Sequence, residues 1–198
     1  MPAAIRQESR SPARAREPSL NRMTDTIRFE GRVERIGDRT LLRLPAGASA
    51  GLPSRGQVAV TAALDGHRFA TVVEPDGRRG HWLPLDEPSR SLELSAGDAV
   101  AVELEPAGRW PEPDVPPDLR AALDDAHDLT GVWNDITPMA RWEWVRWVNS
   151  TANPQTRGRR VEVSLSKLRS GKRRPCCFDL SACTDPEVSK SGKLIEHP

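Results

Sequence analysis

Residues 58–75 read VAVTAALDGHRFATVVEP and carry the clearest structural signal in the chain. On both sides of Asp65-Gly66, apolar side chains recur at every second position, which is the period of a strand with one buried face. An Asp-Gly pair between two such runs indicates a tight hairpin, because glycine accepts the positive φ of a type I′ turn. The stretch therefore predicts two antiparallel strands joined by a two-residue turn.

The same alternation extends outward from this hairpin, from Ile27 to Glu105. It predicts six short strands, at 26–35, 39–44, 57–64, 67–74, 80–85 and 99–105. Each strand has one apolar face, and an open sheet would leave that face wet and its edges unpaired, whereas a barrel buries the face and removes the edges. We therefore expect a small closed antiparallel β-barrel over residues 25–106.

Helical signals begin after a proline-rich linker at 107–117. Residues 118–126 carry leucine and alanine at helical spacing. Thr137-Pro138 and Asn153-Pro154 are each typical of a helix cap followed by proline at the first helical position, and Gly171 is typical of a helix end. The predicted fold class is α+β, with the barrel followed by a short helical region over 118–171.

The two ends of the chain lack such patterns. Residues 1–24 are predicted to be a disordered tail and residues 172–198 an irregular one. The three cysteines, Cys176, Cys177 and Cys183, lie in the second tail, and an odd number of cysteines favours a reducing, cytoplasmic location over a disulfide framework. No apolar run is long enough to span a bilayer, so no membrane association is expected.

Four segments together resemble a known family. They are LSAGDAVAV at 94–102, VPPDL at 115–119, WEWVRWV at 142–148 and QTRGRRV at 155–161. The last two are similar to the C-terminal signature of the YdeI/OmpD-associated, or bacteriocin-protection, family of bacteria, and the first resembles a strand of a barrel domain of unknown function. The resemblance implies a double-split β-barrel and a role in stress or bacteriocin tolerance. It brings no catalytic residue or cofactor, and this chain departs from the family pattern at 149–154, where Ala-Lys is more usual.

No catalytic or metal site is expected from the residues themselves. The four histidines stand outside any nucleophile motif, and the Cys-Cys-x5-Cys spacing is unlike the Cys-x2–4-Cys pairs of zinc sites. No phosphate-binding loop is present. We therefore predict a protein that is not an enzyme and needs no cofactor.

One segment is strongly basic although the whole chain has a formal net charge of only +1. Between residues 157 and 174, eight cationic side chains stand against one carboxylate, Glu162. Nucleic acid or another anion is a possible partner for this segment. A solvated helix face that balances acidic regions elsewhere is the alternative. The candidate anion-binding residues are Arg157, Arg159, Arg160, Lys167, Arg173 and Arg174.

The aromatic residues suggest a second candidate site. Trp133, Trp142, Trp144 and Trp147 are expected mainly to dock helices on the barrel, with a ligand-stacking wall as the alternative. A ligand pocket is predicted near His81, Trp82 and Trp142.

Three functional hypotheses follow from these candidates. The first is a non-enzymatic binding or interaction protein with an unknown protein or small-molecule partner. The second is a nucleic-acid-binding regulator that uses the basic helix. The third is a small-molecule sensor or enzyme at the cleft between barrel and helices.

Overall fold

The computed structural model describes residues 26–175 and 185–196 of the chain. The predicted disordered tail at 1–24 and the three cysteines, Cys176, Cys177 and Cys183, lie outside the described residues. Among the residues that are described, no helix has the length and apolar character needed to cross a bilayer.

Six strands form a closed antiparallel barrel, which confirms the predicted fold class. The strands pair in the order β1-β2-β5-β4-β3-β6, and every pair is antiparallel. Their bounds are β1 Ile27–Ile36, β2 Arg39–Arg43, β3 Val58–Leu64, β4 His67–Pro75, β5 His81–Pro84 and β6 Ala99–Pro106.

The predicted Asp-Gly hairpin joins β3 to β4. Asp65 and Gly66 have φ values of 46° and 87°, so both central residues are left-handed as a type I′ turn requires. The turn sets the register, since Leu64 pairs with His67. That register turns the alternate apolar residues of β3 inward, where they pack with those of the other strands.

Two short helices in the barrel region are not anticipated by the sequence pattern. They are α1, Ala46–Ala50, and α2, Asp86–Ser91. Each is too short to show a helical period. Ala48 and the neighbouring Leu52, Leu85 and Leu92 pack against the barrel core, which therefore continues beyond the strands themselves.

Four helices and a 3-10 turn follow the linker: α3 Pro117–Asp125, the turn His127–Leu129, α4 Thr130–Asp135, α5 Pro138–Asn149 and α6 Pro154–Arg169. The expected caps are present, since Thr137 Oγ1 accepts a hydrogen bond from the Ala140 amide at 3.3 Å and Asn153 Oδ1 accepts one from the Thr156 amide at 2.9 Å. The helices enclose a core of their own around Trp144, which is fully buried.

The described part of the predicted irregular tail is a small hairpin. Its strands are β7, Ser189–Lys190, and β8, Lys193–Leu194. Val188 and Leu194 cover Trp82 and other apolar side chains on the outside of the barrel, which form a third small core. A two-residue strand is too short to show an alternating pattern in the sequence. The formation of this hairpin therefore depends on the apolar surface that it covers.

Candidate ligand cavity between the barrel and the helices

A cavity of about 160 Å³ lies where α5 meets the barrel. One wall comes from α5, whose Trp142, Val145, Arg146 and Asn149 fall at the i, i+3, i+4, i+7 spacing of one helix face. The other wall consists of residues from β2, β4 and β5 and the start of the C-terminal hairpin, namely Arg39, Glu74, Trp82, Pro84 and Asp185.

The most unusual group in the cavity is the guanidinium of Arg146. Its side chain is only 9% exposed, and both Nη atoms are buried without a hydrogen-bond partner in the part of the chain that the structure describes. Arg146 Nη2 lies 2.9 Å from Glu74 Oε2, so the two form an ion pair whose geometry falls short of a hydrogen bond. Buried donors without acceptors are rare because they lose their hydration without compensation.

The carboxylates of the cavity are already engaged. Glu74 Oε1 accepts a hydrogen bond from Gln57 Nε2 at 2.6 Å. Asp185 pairs with Arg39, whose Nε also donates to Asp86 at 2.7 Å. An arginine therefore pairs with each of these acids.

Asn149 contributes a further donor. Its Oδ1 accepts a hydrogen bond from Arg157 Nη1 at 3.0 Å, which orients the side-chain amide, because a guanidinium can only donate. Among the described residues, its amide nitrogen has no acceptor. Asn149 lies in the segment where the chain departs from the pattern of the family that it resembles.

The proline-rich linker holds Trp142, the tryptophan of the α5 wall, in place. Trp142 Nε1 donates to the Pro111 carbonyl at 2.7 Å, and Arg141 makes two 2.8 Å hydrogen bonds to Glu112. These contacts tie the proline-rich linker to α5. The Trp142 ring meets Trp110 edge to face, with centroids 6.5 Å apart.

Of the three predicted pocket residues, the structure brings Trp82 and Trp142 to the cavity but not His81. His81 is 1% exposed; its Nδ1 lies 2.6 Å from Ser49 Oγ, and its Nε2 lies 3.1 Å from the Gly56 carbonyl. The carbonyl requires a proton on Nε2, so a neutral ring accepts from Ser49 at Nδ1.

Burial lowers the pKa of His81 below its usual value. The hydrogen bond to Gly56 and the charge of Asp76 oppose this shift, and the charge of Arg55 adds to it. The neutral imidazole of His81, which belongs to β5, therefore links this strand to α1 and to the loop after α1 by hydrogen bonds.

Three of the six cations of the predicted anion site, together with the neighbouring Arg169, make ion pairs within the protein. Arg157 grips Asp118 through two hydrogen bonds of 2.6 and 2.9 Å, and these hold the pKa of Asp118 below its usual range. Arg169 pairs with Asp128 at 2.7 Å. Arg173 pairs with Asp135, and Arg174 pairs with the buried carboxylate of Glu143. The basic segment thus binds acids from the preceding helices.

Two further cations lie over an aromatic ring. The guanidinium of Arg160 and the ammonium of Lys167 are 5.5 and 5.8 Å from the ring centroid of Trp147. Arg159 and Lys172 are exposed and, within residues 26–175 and 185–196, form no ion pair.

Sequence reasoning missed Arg39, Glu74, Arg146 and Asn149 as cavity residues. The helical spacing of Trp142 with Arg146 and Asn149 was a usable signal, but nothing local indicated which face of α5 would meet the barrel. No cluster of three or more metal-ligating side chains occurs in the part of the chain that the structure describes.

The chain is a two-part α+β protein. It consists of a closed antiparallel barrel and a helical region, and the linker is fastened to α5. A small-molecule-sized cavity lies where α5 meets the barrel. Residues 112–171 match the family described as "Bacteriocin-protection, YdeI or OmpD-Associated". Residues 29–104 match a domain of unknown function, DUF1905. The predicted resemblance is confirmed for these two parts of the chain: the helical region matches the YdeI/OmpD-associated family, and the barrel matches the domain of unknown function. A search of curated proteins finds no match to the chain.

Proposed function

We propose that this chain is a non-enzymatic binding protein that holds a small molecule in the cavity between barrel and helices. The observation that carries the proposal is the buried Arg146 guanidinium, whose two Nη atoms make no hydrogen bond within the described residues although Nη2 forms an ion pair with Glu74. Each unsatisfied buried donor costs about 1–3 kcal/mol. A ligand acceptor that meets the guanidinium after the Arg146 side chain turns towards the cavity would recover part of that cost, which gives the cavity a reason to bind.

The chemistry of the cavity favours recognition over reaction. Glu74 and Asp185 are each neutralised by an arginine, so neither is arranged as a general base. The tryptophan rings supply apolar surface, and a few polar groups converge between them, which is the usual composition of a ligand site.

The internal ion pairs of the basic segment make a nucleic-acid regulator the weaker hypothesis. Arg157, Arg169, Arg173 and Arg174 already hold carboxylates of the same chain. Counterion release from DNA or RNA requires cations that are free to meet phosphates. The description of the matching family names bacteriocin protection, and we propose that role as the setting in which the bound small molecule acts.

The test is a panel of small aromatic and polar molecules screened by ligand-observed NMR and thermal melting. A ligand at about 100 times its Kd stabilises the fold by about 2.7 kcal/mol. For a chain of this size that is a rise in Tm of about 5–10 °C.

Asn149→Phe places a ring at the edge of the cavity and should abolish both signals. Asn134→Phe introduces the same ring at an exposed position of α4 and serves as the matched control. Trp142→Ala removes one wall and gives a second readout if Asn149→Phe folds poorly. Hits that bind wild type and both Asn variants equally would overturn the proposal.

A further inference from the structure

Two side chains of the cavity carry hydrogen-bond donors that make no hydrogen bond within the described residues. Arg146 has two Nη atoms without hydrogen bonds, and within the described residues the Asn149 amide nitrogen donates to nothing. In contrast, Glu74 is occupied by Gln57 and Arg146, and Asp185 is occupied by Arg39. A complementary ligand therefore brings an acceptor, such as a carbonyl oxygen.

Charge distinguishes a neutral acceptor from an anionic one. Arg146 is balanced by Glu74, and Arg39 lies against two carboxylates, Asp86 and Asp185. The two arginines and the three carboxylates that pair with them therefore carry no net positive charge. A carboxylate ligand would lose its hydration and meet Glu74 at close range, which is unfavourable without a spare cation. A neutral carbonyl avoids that cost.

The walls and the size restrict the remainder of the ligand. Trp82 and Trp142 present indole rings, which favour a flat aromatic partner. The volume of about 160 Å³ far exceeds the roughly 10–15 Å³ that a single water needs on the same measure. It is below the roughly 300–1,000 Å³ of sites for drug-sized ligands, which suits a single ring with one substituent.

We propose that the ligand is a small, neutral, planar ring bearing a carbonyl or carboxamide, an inference that rests on the proposed binding function. Its ring lies between the tryptophans, and its carbonyl oxygen accepts from Arg146 and the Asn149 amide. Because both Nη atoms are covered, contact requires the Arg146 side chain to turn towards the ligand.

The test compares one pyridine ring with three substituents: nicotinamide, nicotinate and 3-methylpyridine. Affinities are measured by NMR titration against the full-length protein. Nicotinamide should bind at least about tenfold more tightly than either of the others, a difference of about 1.4 kcal/mol. Arg146→Met should reduce nicotinamide binding by about tenfold or more and leave 3-methylpyridine unchanged, whereas Arg159→Met, an exposed cation without an ion pair among the described residues, should change neither.

The outcomes separate this inference from the proposed function. If nicotinate binds more tightly than nicotinamide and Asn149→Phe abolishes that binding, the cavity binds ligands but the neutral class is wrong. The neutral carbonyl class is also wrong if Asn149→Phe abolishes binding only of compounds that lack a carbonyl. If no compound shows that sensitivity, the proposed function and the ligand class fail together. If Arg146→Met fails to fold, Asn149→Leu, which keeps the side-chain size and removes the donor, should lower the affinity for nicotinamide alone.

Discussion

The buried ion pair between Arg146 and Glu74 connects the helices to the barrel, and its removal makes a sharp test of the joint. Arg146→Met keeps the length of the side chain and removes the charge. Glu74→Gln keeps the shape and the bond to Gln57 while removing the opposite charge. The double variant replaces both charges at once.

The structure sets the size of each effect. Breaking a fully buried pair from one side costs about 3–5 kcal/mol, because the other charge is left without compensation. Here the two side chains are 9% and 13% exposed, and the Nη atoms already lack hydrogen bonds to any described residue, so part of that cost exists in the wild type. We expect each single variant to lower the free energy of unfolding by about 2–4 kcal/mol. The double variant should lie within about 2 kcal/mol of wild type, since replacing both charges of a buried pair is often nearly neutral.

Urea unfolding of all four proteins measures these values. Tryptophan fluorescence and circular dichroism should be followed together, because coincident transitions are needed before the free energies are compared. The expected coupling energy is at least about 2 kcal/mol, within the range for residues in contact. Single-variant effects that add to within about 0.5 kcal/mol would refute the claim that this pair joins the two parts. Arg159→Met, on the exposed face of α6, should cost less than about 0.5 kcal/mol.

Three further predictions concern other parts of the chain, all read out by urea unfolding. Because the folded protein lowers the pKa of His81 while the unfolded chain binds a proton below about pH 6.5, wild type should lose stability as pH falls through 6.5 towards the folded-state pKa. His81→Gln should flatten that pH dependence, and an unchanged slope would show that another group causes it. Asn153→Ala should cost about 1 kcal/mol through loss of the α6 cap, and a cost near zero would mean that the cap contributes nothing. Arg159→Gln combined with Lys172→Gln should change stability by less than about 0.5 kcal/mol. Arg157→Gln should cost about 1 kcal/mol, because Arg157 pairs with Asp118. Equal effects would contradict the assignment of ion pairs.

The strands of the barrel were predictable because their signal is local. Six runs of alternating side chains lie within one or two residues of the observed strands, and the Asp65-Gly66 turn has the geometry that its residues favour. Thr137 and Asn153 likewise cap the helices that follow them. Each feature depends on side chains a few residues apart, so its physical cause is contained in a short segment.

The candidate site was only partly predictable, because it depends on which distant surfaces meet. Trp82 and Trp142 were expected near a pocket, and both line the cavity. His81 precedes Trp82 in β5, so strand alternation turns the His81 side chain to the opposite face of the strand. The acids that neutralise the basic segment come from the 3-10 turn and from α3, α4 and α5. A count of charges along residues 157–174 cannot reveal those partners.

Periodicity, turn residues and caps thus specified a barrel followed by helices, since backbone geometry responds to neighbours in the chain. Packing alone brought Arg146 to Glu74, placed Asn149 beside Arg157 and laid the C-terminal hairpin over Trp82. The contact between Arg146 and Glu74 forms when α5 docks on the barrel, which removes a helix face and the end of a strand from water. The Nη atoms of Arg146 lost their hydration in that step, which no local pattern records.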